Sequence, residues 1–139
     1  VNLAYSIDPL QDHQPRKILV VEDDFVNVFI MKQMLDNQYD TRYAKSGQEV
    51  MELIKSHDFD LILMDIHLTD DSPSGVEIMK TLRGIPRYSK TGIFAITSYH
   101  QIHDKERFLS EGFDDFFTKP VSKEELIEAM EKSLKNHAE

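Results

Sequence analysis

Three short apolar runs stand out along the chain, Ile18-Leu19-Val20-Val21, Leu61-Ile62-Leu63-Met64 and Ile93-Phe94-Ala95-Ile96, and none alternates between apolar and polar positions. Runs of this length without alternation suit strands buried on both faces, as in the middle of a parallel sheet. Phe116-Phe117-Thr118 is a shorter candidate, and Tyr39 to Ala44 a weak one. Between them the apolar positions recur at helical spacing: Val26, Phe29, Ile30 and Met34; Val50, Leu53 and Ile54; Val76, Met79 and Leu82; Leu126, Ile127, Met130 and Leu134. A more polar helix is expected from Lys105 to Glu111, closed by Gly112, which tolerates a left-handed backbone. Asp24 is a suitable N-cap, and Ser46-Gly47-Gln48-Glu49 and Ser122-Lys123-Glu124-Glu125 have the spacing of capping boxes.

Strand and helix thus alternate five times. Parallel strands need crossovers, which helices supply, so the pattern predicts an α/β domain: a doubly wound, five-stranded parallel sheet of (βα)5 type. It occupies residues 17–137, while residues 1–16, with Pro9 and Pro15 and no sustained period, read as a linker or disordered tail.

In such a sheet the residues that close each buried run converge on one edge, where ligands bind. Glu22 and Asp23 close the first strand, Asp65 the third, Thr97 the fourth and Lys119 the fifth. Three carboxylates brought together repel one another unless a cation lies between them. Mg²⁺ suits the set, because it accepts a few oxygen ligands and leaves positions for phosphate oxygens. An ammonium and a hydroxyl beside a nucleophilic carboxylate complete what phosphoryl transfer requires.

Composition narrows the alternatives. Sixteen Lys and Arg against 25 Asp and Glu leave a net charge of −9, which opposes direct contact with nucleic acid or an anionic membrane. The absence of cysteine excludes disulfides, thiol catalysis and Cys-based metal sites. No apolar run approaches a membrane span, so the expected location is cytoplasmic. His100 and His103 lack further ligand residues nearby and are read as surface groups, and Asp70-Asp71 as a solvated loop. His13, His57 and His137 have no partner in the pattern.

The motifs Val20-Val21-Glu22-Asp23-Asp24, Leu63-Met64-Asp65, Ala95-Ile96-Thr97-Ser98, Gly112-Phe113-Asp114-Asp115-Phe116 and Thr118-Lys119-Pro120 give the chain a specific resemblance to the receiver domain of two-component response regulators. The resemblance implies the flavodoxin-like receiver fold and a phosphorelay switch rather than a turnover enzyme. Asp65 would accept a phosphoryl group from a phosphohistidine of a sensor histidine kinase or histidine phosphotransfer protein. Asp23 would bind Mg²⁺ directly and Glu22 largely through water, with Asp65 and the backbone carbonyl of His67 as further ligands. Thr97 and Lys119 would hold phosphoryl oxygens, and Thr97 with Phe116 would form the switch. His67 and Tyr99 would tune hydrolysis, their bulk slowing it. The face of the fourth helix, fifth strand and fifth helix would carry the output and a dimer contact. Val26-Asn27, Thr97-Ser98-Tyr99 and Asp104 to Leu109 are closest in style to receivers of hybrid sensor kinases, and the irregular start beginning at Val1 is expected to be a linker within something longer.

The loop after the acceptor departs from the family pattern. Leu68-Thr69 replaces the usual Met-Pro, and Gly75 comes ten positions after Asp65, which makes the loop two residues longer. Other functions fit less well. An aspartyl-nucleophile phosphatase needs an acid two positions after the nucleophile, where His67 stands, and a flavin binder needs a phosphate loop where Asp24-Phe25-Val26 stands. A binding module that never takes phosphate has no physical reason to hold clustered carboxylates.

Overall fold

The computed structural model describes residues 14–68, 74–98 and 101–136. Strands β1 (Lys17–Val21), β2 (Asp40–Ala44), β3 (Leu61–Asp65), β4 (Gly92–Thr97) and β5 (Asp115–Thr118) alternate with helices α1 (Phe25–Leu35), α2 (Gly47–Leu53), α3 (Gly75–Arg83), α4 (Asp104–Glu111) and α5 (Lys123–Asn136). The strands form one parallel sheet in the order β2-β1-β3-β4-β5, so the chain reverses its winding direction after β2. Every residue of β3 and β4 is buried, which explains why these runs carry no alternation.

Side chains of each strand still divide between two layers. Leu19, Val21, Ile62, Met64, Ile93 and Ala95 face α2, α3 and α4, while Ile18, Val20, Leu61, Leu63, Phe94 and Ile96 face α1 and α5. The stripe Leu126, Met130 and Leu134 seats α5 on the second layer, with Ile127 partly buried beside it, as its periodicity predicts. On α3 the buried residues include Met79 and Leu82, with Val76 packed at the margin.

Helix α1 corrects the sequence reading. Met31 and Leu35 face the sheet, with Met34 partly buried, whereas Phe25 is 75 % exposed, Phe29 57 %, and Val26 and Ile30 are exposed as well. The helix is apolar almost all round, so periodicity could not tell which side the sheet would cover.

Helix starts follow their caps. The Asp24 side chain accepts the Asn27 N–H at 3.0 Å, and Ser46 accepts that of Glu49 at 3.2 Å. Glu49, however, reaches back to the Lys45 N–H at 2.8 Å rather than to Ser46, so the expected capping box is only half formed. A complete box lies at Ser74 and Glu77, where each side chain accepts the other residue's backbone N–H, at 3.3 and 2.9 Å. Its Ser-x-x-Glu spacing was legible but stood at the end of a stretch read as loop. Helix α4 begins at Asp104, one residue before the expected start, and Gly112 closes it at φ 131°. A short 3₁₀ turn at Pro86–Tyr88, absent from the sequence reading, precedes β4.

Candidate active site

The carboxyl ends of β1, β3 and β5 deliver their charged residues to one pocket. Ligand oxygens of Glu22, Asp23 and Asp65 all lie within 4.8 Å of one another. Lys119 reaches across from the end of β5, its Nζ donating to Glu22 Oε1 at 2.6 Å and to Asp65 Oδ2 at 3.3 Å. Glu22 is 3 % exposed and Asp65 5 %, so these are buried charges at the sheet edge. Backbone amides fix both acids: the Asp24 N–H donates to Glu22 Oε2 at 3.1 Å, and the His67 N–H to Asp65 Oδ1 at 3.0 Å.

Burial pushes the Glu22 carboxyl up to about 7, more than the Lys119 hydrogen bond and the Asp24 amide pull it down, and the neighbouring Asp65 charge adds to the rise. Burial opposes the charge on Lys119, but the facing Glu22 and Asp65 carboxylates outweigh it and hold the amine above its ordinary range. The ammonium thus bridges two of the three clustered carboxylates, and the set retains negative charge beyond what one lysine offsets. A compact, hard divalent cation fits that donor set: all-oxygen, acidic, and open on the Asp23 side, where the residue is only half-buried.

Thr97, fully buried, ends β4, and its carbonyl accepts the Lys119 N–H at 2.9 Å, which ties the loop after β5 to that strand end. A cis Lys119–Pro120 peptide follows. Phe116, 8 % exposed, lies inward, its ring stacked on Phe108 at 5.6 Å, with Phe113 edge-on to Phe108 at 6.1 Å. The His67 side chain is exposed, and His103 meets Glu106 at the surface. Tyr99 and His100 lie outside the described residues, as do residues 69–73.

Gly75 resolves the departure in the loop. A Cβ at Gly75 would overlap the Asp65 carbonyl oxygen and come within 2.9 Å of Ile66 Cα, and the Gly75 N–H donates to Ile66 O at 3.2 Å. The glycine that starts α3 thus lies directly against the backbone of Asp65 despite its greater distance in sequence. No pattern in the chain marks that approach, because it joins a strand end to a helix start across a loop.

Beside this pocket is a cleft of about 270 Å³ between α1 and the turn after β5, lined by Ile30, Met31, Met34, Pro120 and Val121 and reaching Glu22 and Lys119. It continues the exposed apolar side of α1 towards the acids. The helical spacing of Val26, Phe29, Ile30 and Met34 gave no sign of it, since spacing alone does not say which side of the helix the sheet covers.

The family model of the response regulator receiver domain matches residues 18–131. The polar-differentiation response regulator DivK of Brucella anthropi is 30 % identical over 121 residues, covering 86 % of this chain and 97 % of the relative. The cell cycle response regulator CtrA of Brucella ovis is 36 % identical over 127 residues, covering 88 % of this chain but 53 % of the relative, so the chain spans about half of CtrA. Among solved structures, the receiver domain of sensor histidine kinase PA1611 from Pseudomonas aeruginosa PAO1, with a magnesium ion coordinated in its active site cleft, superimposes with a TM-score of 0.77 at 25 % identity, covering 87 % of this chain and 98 % of that one. Fold, sequence and the acid pocket at the rim of the sheet agree: the chain belongs to the response regulator receiver domain family, the signalling switches of two-component phosphorelays.

Proposed function

We propose that Asp65 is the phosphoacceptor of this receiver, taking a phosphoryl group from a phosphohistidine of a sensor kinase or phosphotransfer protein. An Asp65 carboxylate oxygen forms the new bond to phosphorus as the P–N bond to the donor breaks, and its electron pair stays on the imidazole nitrogen. The observation that carries this reading is the bridging Lys119 ammonium, 2.6 Å from Glu22 and 3.3 Å from Asp65, poised over a carboxylate whose other oxygen is held by the His67 amide. That arrangement orients the nucleophile and offers a positive charge to the incoming phosphoryl oxygens. Thr97 supplies a hydroxyl from the neighbouring strand end. Glu22, Asp23, Asp65 and the His67 carbonyl are the residues that would hold Mg²⁺, which when bound neutralises charge on the transferring group.

The apolar side of α1 and its adjoining cleft give a protein donor a seat next to Asp65, since an exposed patch of Phe25, Val26, Phe29 and Ile30 is costly in water unless a partner covers it. Phosphorylation shifts an existing equilibrium in which Phe116 and α4 change their packing, and the output is read on the face of α4, β5 and α5. The receiver unit is residues 17–137, with residues 1–16 a linker, and the donor chemistry places it in the cytoplasm, free or as part of a hybrid kinase. His67 and Tyr99 set the acyl-phosphate lifetime; a His67→Ala, Tyr99→Ala double variant that leaves that lifetime unshortened overturns this part.

The test is labelling by acetyl phosphate with Mg²⁺. Wild type should gain one phosphoryl group and Asp65→Asn none. Equal labelling of the two, or none of the wild type, defeats the assignment.

A further inference from the structure

Strand β5 lies at the edge of the sheet, and no strand pairs its outer side among the described residues. Between that edge and α5 runs a groove of about 520 Å³ whose floor includes Phe94 and Phe117. Asp115, Glu125 and Glu128 line it, and none of the three has an ion-pair partner among the described residues, although one Asp115 oxygen accepts the Phe116 N–H at 2.8 Å and leaves the other open to the groove. Lys132 is the one base in the lining, and Asp114 at its end is already engaged by Arg83 at 2.7 Å. The groove therefore combines a strand edge with no neighbouring strand among the described residues, an apolar floor and a surplus of negative charge.

We propose that this groove receives an extended, basic segment of a partner protein, laid beside β5 with apolar side chains on Phe94 and Phe117 and Lys or Arg side chains towards Asp115, Glu125 and Glu128. Adding a strand to a free edge satisfies backbone groups without demanding sequence, and charge then selects the partner. A second copy of the chain fits poorly. A two-fold contact would set the same acids against themselves with a single lysine per protomer to offset them. The inference names the chemistry of the partner on the output face, and its link to signalling rests on the phosphoacceptor reading above. Phe116, next to Phe117 on β5, connects the two.

The probe is a fluorescein-labelled peptide of alternating Lys and Val, followed by anisotropy with saturating Mg²⁺ so that the acid pocket does not compete. It should bind wild type, bind roughly tenfold more weakly to an Asp115→Asn, Glu125→Gln, Glu128→Gln variant, and keep its affinity for a Glu52→Gln, Asp58→Asn, Glu106→Gln variant of equal net charge. Amide shifts in the NMR spectrum should concentrate on β5 and α5. Equal loss in both variants means attraction to the overall charge only and overturns the proposal, as does no binding to wild type. Concentration-dependent dimerisation in sedimentation, lost in the first variant, makes the occupant a second copy and overturns it too. Acetyl phosphate labelling of Asp65 in the same variants separates the outcomes: it should be unchanged, and its failure in wild type would strike the phosphoacceptor reading while leaving peptide binding as measured.

Discussion

The two ends of the sheet treat charge in opposite ways. At the amino-terminal end, arginines close the structure with nearly every contact satisfied. Arg83 donates to the carbonyls of Tyr88, Thr91 and Gly112 at 3.0, 2.5 and 3.0 Å and to Asp114 at 2.7 Å. Arg87 donates to Phe59 O at 3.0 Å, and Arg16 to Leu134 O at 3.3 Å in the last turn of α5. At the carboxyl-terminal end, three acids cluster and one lysine bridges the two buried ones, Glu22 and Asp65. In a parallel sheet with its helices running the other way, helix C-termini gather at the first end and N-termini at the second. The local dipoles therefore favour cations at one and anions at the other. What differs is completion: the arginines stabilise the fold as it stands, whereas the acids are arranged for something that arrives later.

The sharpest way to break that contrast is to remove the one cation of the acid pocket. Lys119→Met should slow labelling of Asp65 by acetyl phosphate by on the order of a hundredfold or more, read as initial rate, since a preorganised charge at the reacting oxygens is lost. A rate within a few fold of wild type would mean that Lys119 serves only the resting ion pair.

At the opposite end, Arg83→Ala should lower the unfolding free energy by about 2–3 kcal/mol in urea titrations, because three carbonyls and Asp114 lose a charged donor at once. Labelling of the remaining folded protein should be unchanged. A loss of labelling without a loss of stability would reverse the division of labour.

The Glu22 carboxyl sharpens the comparison through pH. Its pKa in the fold, about 7, lies above the value in an unfolded chain, so the folded state holds the extra proton across the interval between them. Stability without metal should therefore fall as pH rises from about 4.5 to 7, by about 3 kcal/mol, and then level off. Glu22→Gln should flatten that slope and leave the metal-free protein more stable at pH 8. Mg²⁺ should also flatten it, and its affinity should weaken as pH drops below 7, because proton and metal compete. A metal-free stability that rises over this interval would contradict the burial argument. Lys119, held above its usual range, remains charged throughout.

The smallest effect is expected at Arg16, which lies 3.6 Å from Asp60 with both side chains about one-third exposed. Arg16→Ala should cost about 0–1 kcal/mol by the same titration. A larger loss would mark the Leu134 carbonyl contact, rather than the ion pair, as the important one.

Much of this was legible along the chain. Buried strands leave runs such as Leu61 to Met64 without alternation, and since parallel strands share one direction, the residues closing those runs must meet at one rim. Glu22, Asp23, Asp65 and Lys119 could be gathered from order alone. The side of α1 that meets the sheet could not, because Val26, Phe29 and Ile30 are as apolar as Met31 and Leu35, and only the placement of the helix chose between them. Nor could the approach of Gly75 to the Asp65 backbone or the reach of Arg83 across separate segments, since both depend on distances closed through space. Sequence determined which groups stand at the ends of strands, by local chemistry and the direction of the chain. Tertiary structure decided which surfaces remain open and how far each charge is desolvated, because burial belongs to the packed whole and not to any one segment.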